Sequence, residues 1–231
     1  MNETQRSRSP ILYLLIILLG MAVLNGVLVA VRAEMASTIA IMVLYYACSL
    51  LSLFTAMIGI GAALFYFSGM ASGLACRILL LTEGASLLPL LVAAVRTALD
   101  YPAYFTDILA TEILSAIGNT ILTLGIHLLL LLLCWLFFFR NRPPVGMPQL
   151  LPRHSRLALS NLLVVAVMFI YQIIAETVET VNFLSTYWPN VYRNEISSIV
   201  FSYVYIVLSL ILGYVVQYVT QAFLYEAERL P

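Results

Sequence analysis

Two long, predominantly apolar runs, residues 11–31 and 113–139, limit what this chain can fold into. Each exceeds the roughly 20 residues that a helix needs to cross a hydrocarbon layer about 30 Å thick. Because lipid offers no hydrogen-bond partners to the backbone, a segment that crosses the layer must satisfy its own N–H and C=O groups. The runs therefore predict membrane-spanning helices, and the fold class is all-α, a polytopic transmembrane helix bundle.

The composition agrees with a membrane protein, because 63% of the residues are hydrophobic and 10% are charged. Soluble domains carry about a quarter charged residues. Acidic and basic side chains balance at 11 each, so nothing favours binding to nucleic acid. The lipid bilayer is the predicted partner.

Hydrophobic stretches of spanning length divide the chain into about six crossings. The second stretch is longer than a perpendicular crossing needs, so we expect it to be tilted or to project from the bilayer. No proline or polar turn interrupts it, which favours one crossing over a helical hairpin. The predicted spans are 11–31, 37–67, 73–95, 108–139, 157–175 and 196–218.

The orientation follows from the arginines that cluster after the fourth span, since short basic loops stay in the cytoplasm. These are Arg140, Arg142, Arg153 and Arg156. Six crossings then place both termini in the cytoplasm as well. The predicted organisation is a cytoplasmic amino-terminal tail (1–10), a four-span helical unit (11–139), a basic proline-rich cytoplasmic loop (140–156), a two-span helical unit (157–218) and a cytoplasmic carboxy-terminal tail (219–231).

Polar residues recur at helical spacing within several spans, and residues about 3.6 apart share a helix face. One interpretation is that they hold the bundle together, since small and hydroxyl residues let helices approach closely and hydrogen-bond in lipid. The faces assigned to packing comprise Ser49, Ser52, Gly59, Ser198, Ser202 and Ser209. The other interpretation is a polar cavity that opens outward and binds a cation or a small polar solute. Its predicted lining is Glu83, Glu112, Asn119, His127, Gln172 and Glu179.

Glu83 is the most informative of these residues, because a charged side chain at mid-span costs roughly 2.5–3.5 kcal/mol on insertion scales. Arg77 is on the same span but about 120° around the helix, so a partner from another helix is favoured. His127 could be a proton relay or a metal ligand, and it is interpreted as a hydrogen-bonding or packing residue in preference to either. No second His or Cys stands one turn away from it to complete a metal site.

Motifs of the common enzyme classes do not occur in the sequence. It has no Gly-x-Ser-x-Gly elbow, no His-Glu-x-x-His pair and no glycine-rich phosphate loop. We expect a non-enzymatic protein without a cofactor.

Parts of the chain resemble the serpentine, seven-helix receptors. The run from Gly20 through Asn25 to Val29 looks like their first span, and Cys76, Arg96 and Pro102 resemble positions of their third span and the following loop. The resemblance implies ligand binding between helices and contact of Arg96 with a G protein at the cytoplasmic face. The chain departs from the family in having one span fewer and no Asn-Pro-x-x-Tyr signature.

The sequence thus favours a non-enzymatic multi-pass protein of the plasma membrane or an endomembrane. It would be either a pathway for a small solute or ion, or a membrane-embedded subunit that associates with another membrane protein or with its own copies. A serpentine-type receptor is the alternative.

Overall fold

The computed structural model describes residues 9–34, 38–68, 74–141, 156–187 and 193–229. Six long helices account for nearly all of them: α1 (Ser9–Glu34), α2 (Thr38–Phe67), α3 (Leu74–Asp100), α4 (Phe105–Cys134), α5 (Arg156–Tyr187) and α6 (Arg193–Arg229). A short 3-10 turn, Pro102–Tyr104, precedes α4. The predicted all-α helix bundle is confirmed.

Consecutive helices run in opposite directions, so the bundle has two distinct ends. Most of the buried apolar cluster lies toward the end where α2 and α4 finish and α5 begins, which we call the core end. It includes residues of all six helices, among them Phe65, Ile78, Leu131 and Val164. We call the opposite end, where α1, α3 and α5 finish, the cavity end.

Helix α2 lies at the centre of the bundle and packs against α1, α3 and α6. The most apolar part of its stretch Ile39–Phe67 is 61% buried, whereas the corresponding parts of α3 to α6 are 33% buried or less. Two glycines permit this packing. A methyl group on Gly59 would collide with Thr82 of α3, and one on Gly61 would lie 3.0 Å from Cα of Gln217 on α6.

The end of α4 is defined by backbone geometry. The helix widens into a π-helical turn, Trp135–Phe139, in which the N–H of Arg140 donates to the carbonyl oxygen of Trp135 at 2.7 Å. Asn141 follows with φ of 57°, a left-handed conformation that ends helices and that Asn tolerates better than most residues. The predicted basic loop starts here, and its residues 142–155 lie outside the described part of the chain.

Several helices extend beyond the apolar spans that predict them. α5 continues to Tyr187 instead of residue 175, and α6 continues to Arg229 instead of residue 218. Most of the predicted carboxy-terminal tail 219–231 is therefore helical. The physical reason is that hydropathy marks only the lipid-facing part of a helix, whereas polar helix-forming residues can continue it into water.

Five helices are long and apolar enough to cross a membrane, and α1 adds a shorter apolar stretch, Ile16–Arg32, among the described residues. α2 is one unbroken helix, as predicted. The outward faces carry exposed leucine, isoleucine and valine side chains along every helix, such as Leu19, Leu122 and Ile170. Large apolar side chains on the outside of a bundle indicate contact with lipid tails.

Candidate functional site: a polar cavity at one end of the bundle

A cavity of about 670 Å³ lies between the helices toward the cavity end. All six helices contribute to its wall. Ligand sites typically measure about 300–1,000 Å³, so the volume suits a small molecule. The ionisable side chains of the lining are Arg32, Glu83, His127, Glu176 and Glu179, besides its tyrosines and Cys48.

The depth of each lining residue follows from its position along its helix. Arg32 at the end of α1, Tyr45 near the start of α2 and Glu179 near the end of α5 mark the mouth. Glu83 on α3 and His127 on α4 are among the deepest. One helical turn closer to the core end are Leu79 on α3 and Leu131 on α4, which belong to the apolar core. The Glu83 and His127 side chains therefore form the boundary between the cavity and the closed core end.

Glu83 and His127 are paired across helices α3 and α4. Oε1 of Glu83 and Nδ1 of His127 form a buried hydrogen bond, and the two side chains are only 6% and 5% exposed. The second carboxyl oxygen, Oε2, is buried without a hydrogen-bond partner. A carboxylate in so apolar a place is stable only when it is paired, and an unpaired oxygen leaves part of its desolvation cost uncompensated.

Hydrogen bonds between helices fix the polar wall above this pair. Asn25 donates from Nδ2 to Oγ of Ser52 at 3.0 Å, joining α1 to α2. The hydroxyl groups of Tyr46 and Ser202 lie 3.0 Å apart and join α2 to α6. The ring of Tyr46 also stacks at 5.3 Å between centroids on the ring of Tyr205. These contacts hold both amide and aromatic groups at the cavity surface.

Arg32 is held at the mouth by an aromatic ring. Its guanidinium carbon lies 5.6 Å from the centroid of the Tyr45 ring, a distance at which a cation is attracted to the π face. Pro89 of α3 also lines the cavity. The cation–ring pair of Arg32 and Tyr45 adds polar and polarisable surface at the mouth.

Five of the six residues predicted to line a cavity lie around this one: Glu83, Asn119, His127, Gln172 and Glu179. Glu112 is not among the lining residues. It is half-buried on α4. Glu112 shares a face with Asn119 but precedes it by seven residues, about 10 Å along a helix axis. Helical periodicity predicts the face of a residue but not the depth at which a cavity ends.

The residues predicted for packing divide into two groups. Gly59 closes the α2–α3 contact, Ser52 and Ser202 make the bonds to Asn25 and Tyr46, and Ser209 donates to Oε1 of Gln172 on α5 at 3.0 Å. Ser49 donates to the carbonyl oxygen of Tyr45 in its own helix, at 2.9 Å, and its side chain also hydrogen-bonds with Tyr205 on α6. Ser198 is partly exposed near the start of α6. Of the three α6 serines assigned to packing, Ser202 and Ser209 thus bond to other helices of the same chain.

Sequence reasoning did not place several lining residues in the cavity. They include Asn25, Arg32, Tyr46, Glu176 and Tyr205. Asn25 offered a signal, since it is a buried amide in the middle of an apolar span. Glu176 precedes Glu179 by three residues and therefore shares its face. The tyrosines gave no comparable signal, because tyrosine is common in membrane spans near the interface.

A second buried polar cluster lies in the core end, below the cavity. The side-chain amides of Asn161 and Gln221 donate to each other, both at 2.8 Å, and Nε2 of Gln221 also donates to the carbonyl oxygen of Gly61 at 3.1 Å. The cluster joins α5, α6 and α2. Its polar groups are mostly satisfied by one another, which is typical of a packing contact in lipid.

The fold and the lining define a multi-pass integral membrane protein with a polar cavity. The chain matches no known protein family, and no characterised protein or solved structure shows significant similarity to it. Among the described residues, no three His, Cys, Asp or Glu side chains are close enough together to hold a metal ion.

Proposed function

We propose that this chain is a non-enzymatic membrane protein that binds a small polar solute in its cavity and forms part of that solute's pathway across the membrane. The observation that carries the proposal is the buried pair of Glu83 and His127 at the base of a cavity of about 670 Å³. Ionisable groups inside a membrane bundle are expensive and most often mark substrate or ion pathways. The pair lies where such a pathway would have to continue into the core end.

The packing interpretation accounts for less of the structure. Helix contacts in lipid need small residues and satisfied hydrogen bonds. They do not need an open polar cavity at whose wall a carboxyl oxygen has no partner. A role as a subunit of a larger complex also loses support, because Ser202 and Ser209 bond to Tyr46 and Gln172 of the same chain.

The basic loop gives the proposal a direction. The loop 140–156 starts and finishes at the core end, where α4 ends and α5 begins. If this loop is cytoplasmic, as its arginines predict, both termini are cytoplasmic and the cavity opens to the opposite side of the membrane. The structure then corresponds to a state that is open to the outside or to an organelle lumen and closed toward the cytoplasm.

The position of Arg96 favours a solute pathway over a serpentine-type receptor. The resemblance implies that Arg96 contacts a G protein at the cytoplasmic face, away from the ligand. Here Arg96 lies one turn beyond the lining residue Ala93 toward the end of α3, so it is at the cavity end. A receptor built in this way would bind its ligand and its G protein at the same membrane face.

The experiment is a swelling assay on liposomes that contain the purified protein. The vesicles are mixed with isosmotic solutions of uncharged, cationic and anionic small solutes, and light scattering reports entry of each solute. We expect at least one class to enter faster than in protein-free vesicles. Glu83→Gln and Asn119→Leu should both slow that entry, since one removes the charge at the base and the other a polar group of the wall.

Matched substitutions outside the cavity serve as controls. Glu112→Gln and Asn182→Leu change the same residue types at positions that do not line it, and both should leave entry unchanged. Saturable binding without entry would favour the receptor, and neither binding nor entry would favour a packing role or a subunit.

A further inference from the structure

The described residues that line the cavity carry more negative than positive charge. Among them are three carboxylates, Glu83, Glu176 and Glu179, and one guanidinium, that of Arg32. With histidine counted as neutral, the described lining therefore has a formal net charge of −2. Protein and lipid surround the cavity with a medium of low dielectric constant, in which such a charge attracts cations strongly.

The hydrogen-bond capacity of the lining points the same way. Among the described lining residues, two buried side-chain atoms have no partner, and both are acceptors: Oε2 of Glu83 and Oδ1 of Asn25. Both atoms are covered, so a ligand in the cavity reaches them only when the side chain turns. Each side chain is already fixed through its other polar atom, Glu83 by His127 and Asn25 by Ser52. A ligand that completed these bonds would have to be a donor. An N–H of an ammonium group is such a donor, and its bond to a carboxylate is charge-assisted.

Aromatic rings supply a third component of cation recognition. Among the described residues, four tyrosines line the cavity, Tyr45, Tyr46, Tyr171 and Tyr205. Tyr45 has the guanidinium of Arg32 against its face, and the other three rings have no such contact among the described residues. The faces of Tyr and Trp bind ammonium groups with a free energy of about 0.5–2 kcal/mol, depending on desolvation.

A metal ion fits this arrangement poorly. The carboxylates are spread from the base, at Glu83, to the mouth, at Glu179, and no three metal-binding side chains cluster in the part of the chain that the structure describes. Calcium needs six to eight oxygen ligands at one point. A molecule several ångströms long, with its charge at one end and an apolar or aromatic body, uses the whole volume instead.

From these observations we infer that the solute is a small organic cation with N–H donors, a protonated amine, whose ammonium group is held by Glu83. The inference rests on the proposed function, since it names the class of solute that the same cavity binds. Glu176 and Glu179 draw the cation to the mouth, and Tyr46 and Tyr205 contact it along the wall. The Glu83 carboxylate turns its second oxygen toward the ammonium group while Oε1 keeps its bond to His127.

Three probes that share a 4-hydroxyphenyl group separate charge from shape: tyramine is cationic, tyrosol neutral and 4-hydroxyphenylacetate anionic. Binding of radiolabelled tyramine is measured on the full-length protein in nanodiscs, with the other two as competitors. We expect tyramine to bind more tightly than either competitor. Glu83→Gln should weaken tyramine binding about tenfold or more, because a hydrogen bond to a charged group is lost, while Glu112→Gln leaves it unchanged.

A second variant keeps the test decisive if Glu83→Gln fails to fold. Glu176→Gln/Glu179→Gln removes two charges near the mouth, where Glu179 is exposed and substitution is tolerated more easily. This double variant should weaken tyramine binding and make that binding less dependent on salt concentration. The affinity for the neutral competitor tyrosol should not change.

The outcomes also distinguish this inference from the proposed function. Tighter binding of tyrosol or 4-hydroxyphenylacetate than of tyramine would overturn the inference and leave a solute-binding cavity. The same holds if none of the three binds while the swelling assay detects entry of an uncharged or anionic solute. Absence of both binding and entry would overturn the inference and the proposed function together.

Discussion

The close contact between α2 and α3 at Gly59 makes the sharpest prediction about stability. A Cβ atom added there would overlap Oγ1 of Thr82 and would lie 3.1 Å from Cβ and 3.2 Å from Cγ2 of the same residue. Rotation of the Thr82 side chain cannot relieve the contact with Cβ, which is fixed to the backbone. Rotation would also break the bond from Oγ1 to the carbonyl oxygen of Leu79, 2.7 Å long and buried. Gly59→Ala must therefore separate the two helices locally.

The magnitude is estimated from three contributions. Overpacking a dense core by one carbon costs about 1–3 kcal/mol. Loss of the Thr82 hydrogen bond adds about 1 kcal/mol, and the higher helix propensity of alanine returns about 1 kcal/mol. We expect Gly59→Ala to lower the free energy of unfolding by about 1–3 kcal/mol, which is roughly a 5- to 150-fold change in the unfolding equilibrium constant.

The assay is reversible unfolding of the purified protein with SDS in mixed micelles, followed by circular dichroism. Gly118→Ala is the matched control, since a methyl group at this position on α4 meets nothing within 4 Å. It should be neutral or stabilise the helix by up to about 1 kcal/mol. In the Thr82→Ala background, Gly59→Ala should lose part of its effect, because the overlap with Oγ1 and the contact with Cγ2 are gone while the contact with Cβ remains. The reasoning is refuted if Gly59→Ala and Gly118→Ala unfold alike, or if Thr82→Ala gives no relief.

Two further predictions concern the amide pair and the topology. Asn161→Leu and Gln221→Leu should each lower the free energy of unfolding by about 1–3 kcal/mol in the same assay, because each leaves a buried amide without its partner. The double variant should lose less than the sum, and strict additivity would contradict coupling of the pair. Tags at residue 1, within 142–152 and at residue 231 should all be accessible only from the cytoplasm. A tag at residue 1 on the opposite side from 231 would contradict six crossings.

Local periodicity predicted part of the candidate site from the sequence. Asn119 and His127 are eight residues apart on α4, so a helix places them about 80° apart, within one side of the helix, whatever surrounds it. Both line the cavity. Glu112 follows the same periodicity but does not line the cavity. Its depth relative to the other five helices depends on how the bundle is assembled.

The partner of Glu83 could be predicted only as a class. Mid-span carboxylates need compensation, and the angle between Arg77 and Glu83 favoured a group from another helix. Which group it would be depends on the rotation of α3 against α4, which the sequence does not state. The tertiary structure places Nδ1 of His127 there.

The apolar runs alone determined that this protein is a bundle of membrane helices, because any backbone in lipid must satisfy its own hydrogen bonds. Only the tertiary structure decided which ends of the helices close and which enclose a cavity. The physical reason is that Gly59 and Gly61 let α2 touch its neighbours in the core end, while side chains such as Tyr46 and Ser52 hold the helices around polar space at the other. The distance between two helices depends on the residues of both, so no single stretch of sequence determines it.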